Sequence, residues 1–379
     1  MINVLHVHNS NYPGGIGTTL LGWFAHADRS RVAPRLFVFR DRMGIHERSV
    51  DIFRAQGLEP EFLPWGHARN LPGAVGRLVR EVRSRPRTVL HSHDTRSDLV
   101  AVITARITGA PLIISNHAWH PADFKRKVLE AIRARLMRHA DLVISVSRNT
   151  DKETLERGIP AAKCMCLYSG VDVGPYRHPP PRAEARASLG LGEHEIVVGN
   201  VARLWPEKEQ ASLIEAAARL VPQHPELRFL IVGDGPLETS LRARIAHRGL
   251  EDRVLMPGYR KDLVSVMAAL DIFAFPSSAE GTPMVIYDAM AIGLPIIASP
   301  VSGVGELLED GATALFVPPA DSEAMARAVA RLIGQPALAR TLGERARQVV
   351  ETEYAVERAV DRLQDIYEDV LARKSAAGS

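Results

Sequence analysis

The chain has 379 residues, long for a single domain, with 46% hydrophobic and 24% charged residues, the balance of an ordinary globular protein. A net charge of +3 is too small to argue for a nucleic-acid partner. No apolar run reaches the roughly 18 residues of a transmembrane helix, and two cysteines, Cys164 and Cys166, make no disulfide framework.

The N-terminal stretch MINVLHVHNSNYPGG has no basic start and no long apolar core, so no leader is expected and the compartment reads as cytoplasmic. NVLHVH, RLFVF, TVLHSH, PLIISNH and DLVISVS are short apolar runs that predict parallel strands covered on both faces. Between them RSDLVAVITARITG and FKRKVLEAIRARLMRHA carry helical spacing. The prolines in GPYRHPPPRAEARASLGL can continue neither a helix nor a central strand, so the domain boundary is placed there. The alternation restarts with EIVVGNVARL, LRFLIVGDG, RVLMPG, DIFAFPSS, LPIIAS and TALFVPP. The expected architecture is α/β. Two Rossmann-like, doubly wound domains, 1–174 and 192–353, are joined by a linker at 175–191 and face each other across a cleft, and residues 354–379 form a C-terminal helix and tail. Val356, Val360, Leu363, Ile366, Tyr367 and Val370 give that helix an apolar stripe that needs a surface to cover, expected on the N-terminal domain.

Ligands of open parallel sheets bind beyond the carboxyl ends of the strands. After DIFAFP comes SSAEGTPMVIYDAMAIGLP. Thr282 as N-cap and Pro283 at the first position predict a helix, stopped by Gly293 and Pro295. Its start is an anion site. Glu280 just before it repels phosphate and makes sense facing hydroxyls, and Asp288 lies deeper along the same helix. Hydroxyls on both sides of a diphosphate describe a nucleotide sugar. Arg203 and Lys208, on the loop after EIVVGNVA, suit the diphosphate as fork and point charge.

Gly14, Gly15 and Gly17 allow close backbone approach after the first strand, but the third glycine of the dinucleotide fingerprint is missing. Gly233 and Gly235 lack it too, which counts against the fold-level rival, an NAD dehydrogenase. His91 and His93 share one face of their strand, and His93, further along, is the one expected to reach the cleft. His117 and Trp119 lie on a loop of the kind that receives an acceptor. The histidines stand on separate segments without a carboxylate cluster, so no metal set is expected. FKRKVLEAIRARLMRHA reads either as a domain helix with a solvated basic face or as a basic amphipathic helix on an anionic membrane.

With these residues in view, the chain resembles the GT-B glycosyltransferases, and within them the retaining enzymes of glycosyltransferase family 4. The likeness covers nearly the whole chain and is densest in GNVARLWPEKEQASLIEAAARL, FLIVGDGPLE, MPGYRKDLVSVMAALDIFAFPSSAEGTPMVIYDAMAIGLPIIAS and VSGVGELLEDGATALFVPPAD. The resemblance implies transfer of a sugar from a nucleoside-diphosphate sugar (UDP, GDP or ADP) to an acceptor hydroxyl with retained configuration and without metal or other cofactor. It implies that Glu280 contacts the donor sugar and that position 288 holds the ribose. Arg203 and Lys208 bind the diphosphate, helped by the segment Thr282, Pro283, Met284 and Val285, whose non-proline amides can donate, and by Gly15. Tyr259 and Arg260 frame the base, and His93 lies near the donor sugar. Two departures stand out: Asp288 replaces the family's usual Glu, and SGVD stands where Asn-Gly-Val-Asp is common. The expected partners are the donor, a carbohydrate or lipid-linked acceptor and an anionic membrane surface, with the protein at the inner face of the cytoplasmic membrane and serving cell-envelope glycan assembly. A sugar-nucleotide epimerase and a catalytically silent nucleotide-sugar binder remain the alternatives.

Overall fold

A computed structural model describes residues 1–9, 15–40, 47–55, 57–65, 70–117, 119, 124–280, 283–301 and 303–377. The chain divides into two compact units, 1–170 with 356–379, and 171–355.

Unit 1 holds a seven-stranded sheet in the order β3-β2-β1-β4-β5-β6-β7. The strands are β1 (Ile2–His8), β2 (Val32–Arg40), β3 (Glu61–Pro64), β4 (Thr88–Ser92), β5 (Leu112–Asn116), β6 (Leu142–Ser145) and β7 (Cys164–Cys166). Unit 2 holds a six-stranded sheet in the order β10-β9-β8-β11-β12-β13. Here the strands are β8 (Ile196–Val201), β9 (Leu227–Val232), β10 (Val254–Gly258), β11 (Ile272–Phe275), β12 (Ile296–Ala298) and β13 (Leu315–Phe316). Every pairing between these strands is parallel. Strands covered by helices on both faces need apolar side chains on both, which is why β4, β5 and β6 are buried along their whole length. In each sheet the strand order reverses at one place, between β1 and β4 and between β8 and β11, and a ligand crevice opens at the carboxyl ends beside such a reversal.

The C-terminal helix, Val356–Ala377, belongs to unit 1. Its stripe of Val356, Val360, Leu363, Ile366, Tyr367 and Val370 is buried with Ile2, Val4, Trp23, Phe24, Val89 and Ile113 in one core cluster. Arg31 binds Asp365 and Glu368, and Lys374 binds Asp141.

The segment 175–191, expected as a linker, is folded into unit 2. Short helices span Gly174–Arg177 and Arg182–Ala187. Arg186 is 1% exposed and donates to the carbonyls of Ala269, Gly192 and Glu193 and to the Asp271 carboxylate. A buried guanidinium is tolerated only with its donors filled, and filling them ties this proline-rich stretch to the second sheet. Among the described residues, no helix is long and apolar enough to cross a membrane.

Truncating Leu363 to Ala should cost about 3 kcal/mol, the scale for a buried leucine. A urea midpoint unchanged from wild type would show that the stripe does not hold the C-terminal helix.

Candidate active site

In unit 2 the loop after β8 turns through a single 3-10 turn at Pro206–Lys208, and Glu209 follows with a left-handed φ of 53°. Gln210 Nε2 donates to the Arg203 carbonyl at 2.9 Å. The loop after β9 presses against it. A Cβ on Gly233 would stand 1.9 Å from the Ala202 carbonyl oxygen, and one on Gly235 would stand 2.6 Å from that of Leu204, with both glycines at positive φ. These glycines are therefore spacers that let two loops pack, a role that the incomplete dinucleotide fingerprint did not reveal.

The loop after β11 is joined to the same turn by a bond from the Ser278 amide to the Glu207 carbonyl, 2.8 Å. This brings Lys208 and Glu280 together. The Lys208 ammonium and the Glu280 carboxylate form a direct ion pair, with side chains 11% and 9% exposed, and the ammonium stands 5.7 Å from the centre of the Phe275 ring. Arg203 is 47% exposed, 3.7 Å from Glu207 and stacked over Trp205 at 5.1 Å.

The next helix runs Met284–Ile292 with Pro283 at the N-cap, so it begins after Pro283 and not on it as the sequence suggested. Proline at that position offers no side-chain hydroxyl to the first amides, Met284 and Val285 among them. Thr282, the expected cap, lies outside the described residues, as does Gly14; Gly15 opens the helix Gly15–His26. Gly293 ends the Met284–Ile292 helix in the left-handed conformation. Asp288 is buried and accepts a 2.8 Å bond from the Tyr176 hydroxyl, and burial pushes its carboxyl up to about 7. Tyr176 comes from the stretch expected as linker and was not anticipated. Tyr259 is exposed beyond β10. Arg260 is paired with Asp262 at 2.8 Å and reaches Ser188 at 3.4 Å.

In unit 1 the β1–β4 reversal gathers histidines. His6 and His91 are direct partners in the strand register. Nδ1 of His6 lies 3.0 Å from Nε2 of His93, and Nδ1 of His93 lies 3.4 Å from Nε2 of His117. The Tyr367 hydroxyl lies 2.8 Å from Nδ1 of His91 and 3.4 Å from Nε2 of His6, while Nε2 of His91 meets Ser115 Oγ at 2.8 Å. His93, expected at the rim, is 1% exposed, because the Trp23 and His117 rings cover it. His117 is the half-buried one. The expectation of scattered histidines fails as well: ring nitrogens of His6, His91 and His93 lie within 4.8 Å of one another. Burial drives His6 and His117 down to about 3, and His91 and His93 well below the usual range, so all are neutral at pH 7.

Asp94, unremarked in the sequence, caps the helix Thr95–Thr108 through the amides of Arg96 and Ser97, and also accepts from Asn9 and faces His8 at 3.2 Å. Trp119, expected to meet an acceptor, is buried. Its indole N–H donates to Thr154 and its face lies 4.2 Å beneath Arg157. On the helix Phe124–Met137, Arg133 is no part of a solvated face: it binds Asp98 at 3.0 Å in the interior. Lys127, Val128, Leu129, Ile132 and Arg135 of that helix are exposed.

Residues 181–349 match the family described as Glycosyl transferases group 1, and residues 13–174 match Glycosyltransferase Family 4. An alpha-D-kanosaminyltransferase of Streptomyces kanamyceticus is 30% identical over 311 residues, 78% of this chain and 79% of its own length. The chain belongs to the group 1 glycosyltransferases. An Escherichia coli relative of this family, UDP-Gal:alpha-D-GlcNAc-diphosphoundecaprenol alpha-1,3-galactosyltransferase, is 26% identical over 78% of this chain and 79% of its own. The fold of the glycosyltransferase is that of Anabaena HepE, solved in complex with UDP-glucose: TM-score 0.86 at 23% identity, covering 97% of this chain and all of that one.

The buried neutral histidines generate a pH dependence. Their folded pKa values lie below the unfolded value, so the stability they allow is present above pH 6.5 and is lost as pH falls. Asp98, held up at about 6, and Asp288, at about 7, act in the opposite sense but are fewer. Tm is expected to fall between pH 6 and pH 4.5 with net proton uptake on unfolding; a flat profile would show that the cluster is charged in the folded state.

Proposed function

We propose that this glycosyltransferase moves a sugar from a nucleoside-diphosphate sugar to an acceptor hydroxyl with retention of configuration, unit 2 holding the donor and unit 1 receiving the acceptor. The observation that carries the reading is the Lys208–Glu280 pair at the β8–β11 reversal, joined by one loop to Arg203 and by Pro283 to a helix start. Cation and helix start suit a diphosphate, and the carboxylate suits sugar hydroxyls. The relatives' names support the donor class, and UDP is the first nucleotide to try.

In the proposed reaction the bond between the anomeric carbon and the leaving phosphate oxygen breaks, and negative charge grows on the diphosphate. Arg203, Lys208 and the Met284 and Val285 amides neutralise it. The acceptor oxygen bonds to the anomeric carbon on the same face, and its proton passes to the departing phosphate oxygen. Glu280, released from Lys208, orients the donor sugar by accepting from its hydroxyls. Asp288 takes the ribose: hydroxyls donating to it favour the ionised form, so nucleotide binding near pH 6.5 releases protons. Tyr259 and Arg260 border the base. In unit 1 His117 faces the acceptor and His93 stands behind it.

The acceptor reading is a lipid-linked or cell-envelope glycan, met at the inner face of the cytoplasmic membrane. Its support is the helix Phe124–Met137, where Val128, Leu129 and Ile132 are 44%, 46% and 48% exposed beside the exposed cations Lys127 and Arg135. Apolar side chains set among cations suit an anionic bilayer surface.

UDP at millimolar concentration should raise Tm by several degrees, and Arg203→Ala should abolish the rise. Glu280→Ala should keep UDP binding and lose transfer by at least a hundredfold; transfer at the wild-type rate would remove Glu280 from the donor site. Turnover of the nucleotide sugar without any acceptor, giving an epimer, would replace the transferase reading.

Vesicles containing a third anionic lipid should co-sediment the wild type, and Leu129→Asp/Ile132→Asp should reduce this at least fivefold. Equal binding by wild type and variant, or by zwitterionic vesicles, would exclude this face as the membrane contact.

A further inference from the structure

We infer that Tyr367, on the C-terminal helix, sets the tautomer of His117 through a relay of hydrogen-bonded imidazoles. The functional side of this inference rests on the reading above that His117 meets the acceptor. Tyr367 touches no substrate in this scheme; it is a positioning residue.

The relay is continuous: Ser115 Oγ, His91, Tyr367, His6, His93, His117, with steps of 2.8, 2.8, 3.4, 3.0 and 3.4 Å. A neutral imidazole carries one N–H and one lone pair, so a ring that accepts at one nitrogen donates at the other. Each ring therefore hands its polarity to the next. The hydroxyl of Tyr367 has one proton to share between His91 and His6, and so ties the two branches in opposite senses. Burial keeps the four rings neutral. The charged groups facing His117 are engaged elsewhere: Arg133 with Asp98 and Asn116, and Asp94 with His8 and the amides it caps.

We take the shorter contact, 2.8 Å to His91, as the one that carries the hydroxyl proton, the 3.4 Å contact to His6 being the longer. Tyr367 accordingly donates to Nδ1 of His91, and Nε2–H of His91 donates to Ser115 Oγ. On the other branch Nε2–H of His6 donates to the Tyr367 oxygen, Nε2–H of His93 to Nδ1 of His6, and Nε2–H of His117 to Nδ1 of His93. His117 is left with a lone pair on Nδ1, and no described residue bonds that atom. A lone pair there accepts from a hydroxyl; the reverse polarity would present an N–H. A metal on His6, His91 and His93 is the competing use of the same nitrogens, and it would replace the protons that the relay requires.

The test is nitrogen-15 NMR of the full chain labelled at histidine, read together with transfer kinetics. In the wild type the His117 proton is expected on Nε2. Tyr367→Phe keeps the ring and removes the acceptor of His6 Nε2–H, so His6, His93 and His117 should change to the Nδ1–H tautomer, with kcat about tenfold lower and the donor KM unchanged. Ser115→Ala strips the acceptor from His91 Nε2–H and should reverse the relay from its other end, changing His117 although Ser115 makes no bond to that ring. Leu363→Ala, from the same helix, should lower Tm and leave the tautomer alone. The inference is overturned by a wild-type His117 protonated on Nδ1. It is equally overturned by a tautomer that both Tyr367→Phe and Ser115→Ala leave unchanged, or by one equivalent of tightly held transition metal in the purified protein. A tautomer that changes without any change in kcat upholds the relay and removes His117 from the acceptor reading.

Discussion

The burial of one apolar stripe, on the helix Val356–Ala377, is the constraint on which unit 1 depends. The stripe covers side chains from the first strand and from Trp23 and Phe24, so the fold of unit 1 is completed only by a helix that follows unit 2 in the sequence. The same helix carries Tyr367 among those apolar groups. A phenol is mostly hydrocarbon with one polar tip, and here the ring packs while the tip meets two histidines. Packing and polar chemistry are therefore delivered by a single side chain.

Unit 2 is held by a different kind of contact at its entry. Arg186 spends its donors on three carbonyls and on Asp271, and Asp271 also accepts from the Val197 amide at the start of β8. The proline-rich stretch is therefore fixed to the strand whose far end carries Arg203 and Lys208.

The sequence made the parallel strands legible because their apolar runs are nearly unbroken, and it placed Arg203, Lys208 and Glu280 on loops after β8 and β11, where the structure has them. It concealed β3, an edge strand of four residues in which Leu63 alone is buried. Arg186 was hidden because an arginine among alanines and charges reads as surface, and only tertiary carbonyls give it a reason to be inside. His91, His93 and His117 were visible one by one and His6 was not, because their convergence follows from the β1–β4 register, which joins residues far apart in the chain. Tyr176 beside Asp288 belongs to the same kind: no local pattern links a short turn of helix to a carboxylate 112 positions later.

On the proposed donor reading, the Lys208–Glu280 pair also bears on which anions this site would pass over. A lone ammonium at a helix start would attract any small anion, and inorganic phosphate is abundant wherever nucleotides are consumed. Here the lysine already has a carboxylate for company, so a simple anion must displace that partner and offers nothing to the carboxylate it displaces. Only a ligand with an anionic part for the lysine and hydroxyls for the glutamate satisfies both groups at once. On the proposed donor reading, mutual neutralisation would act as a filter that favours a molecule bearing both features.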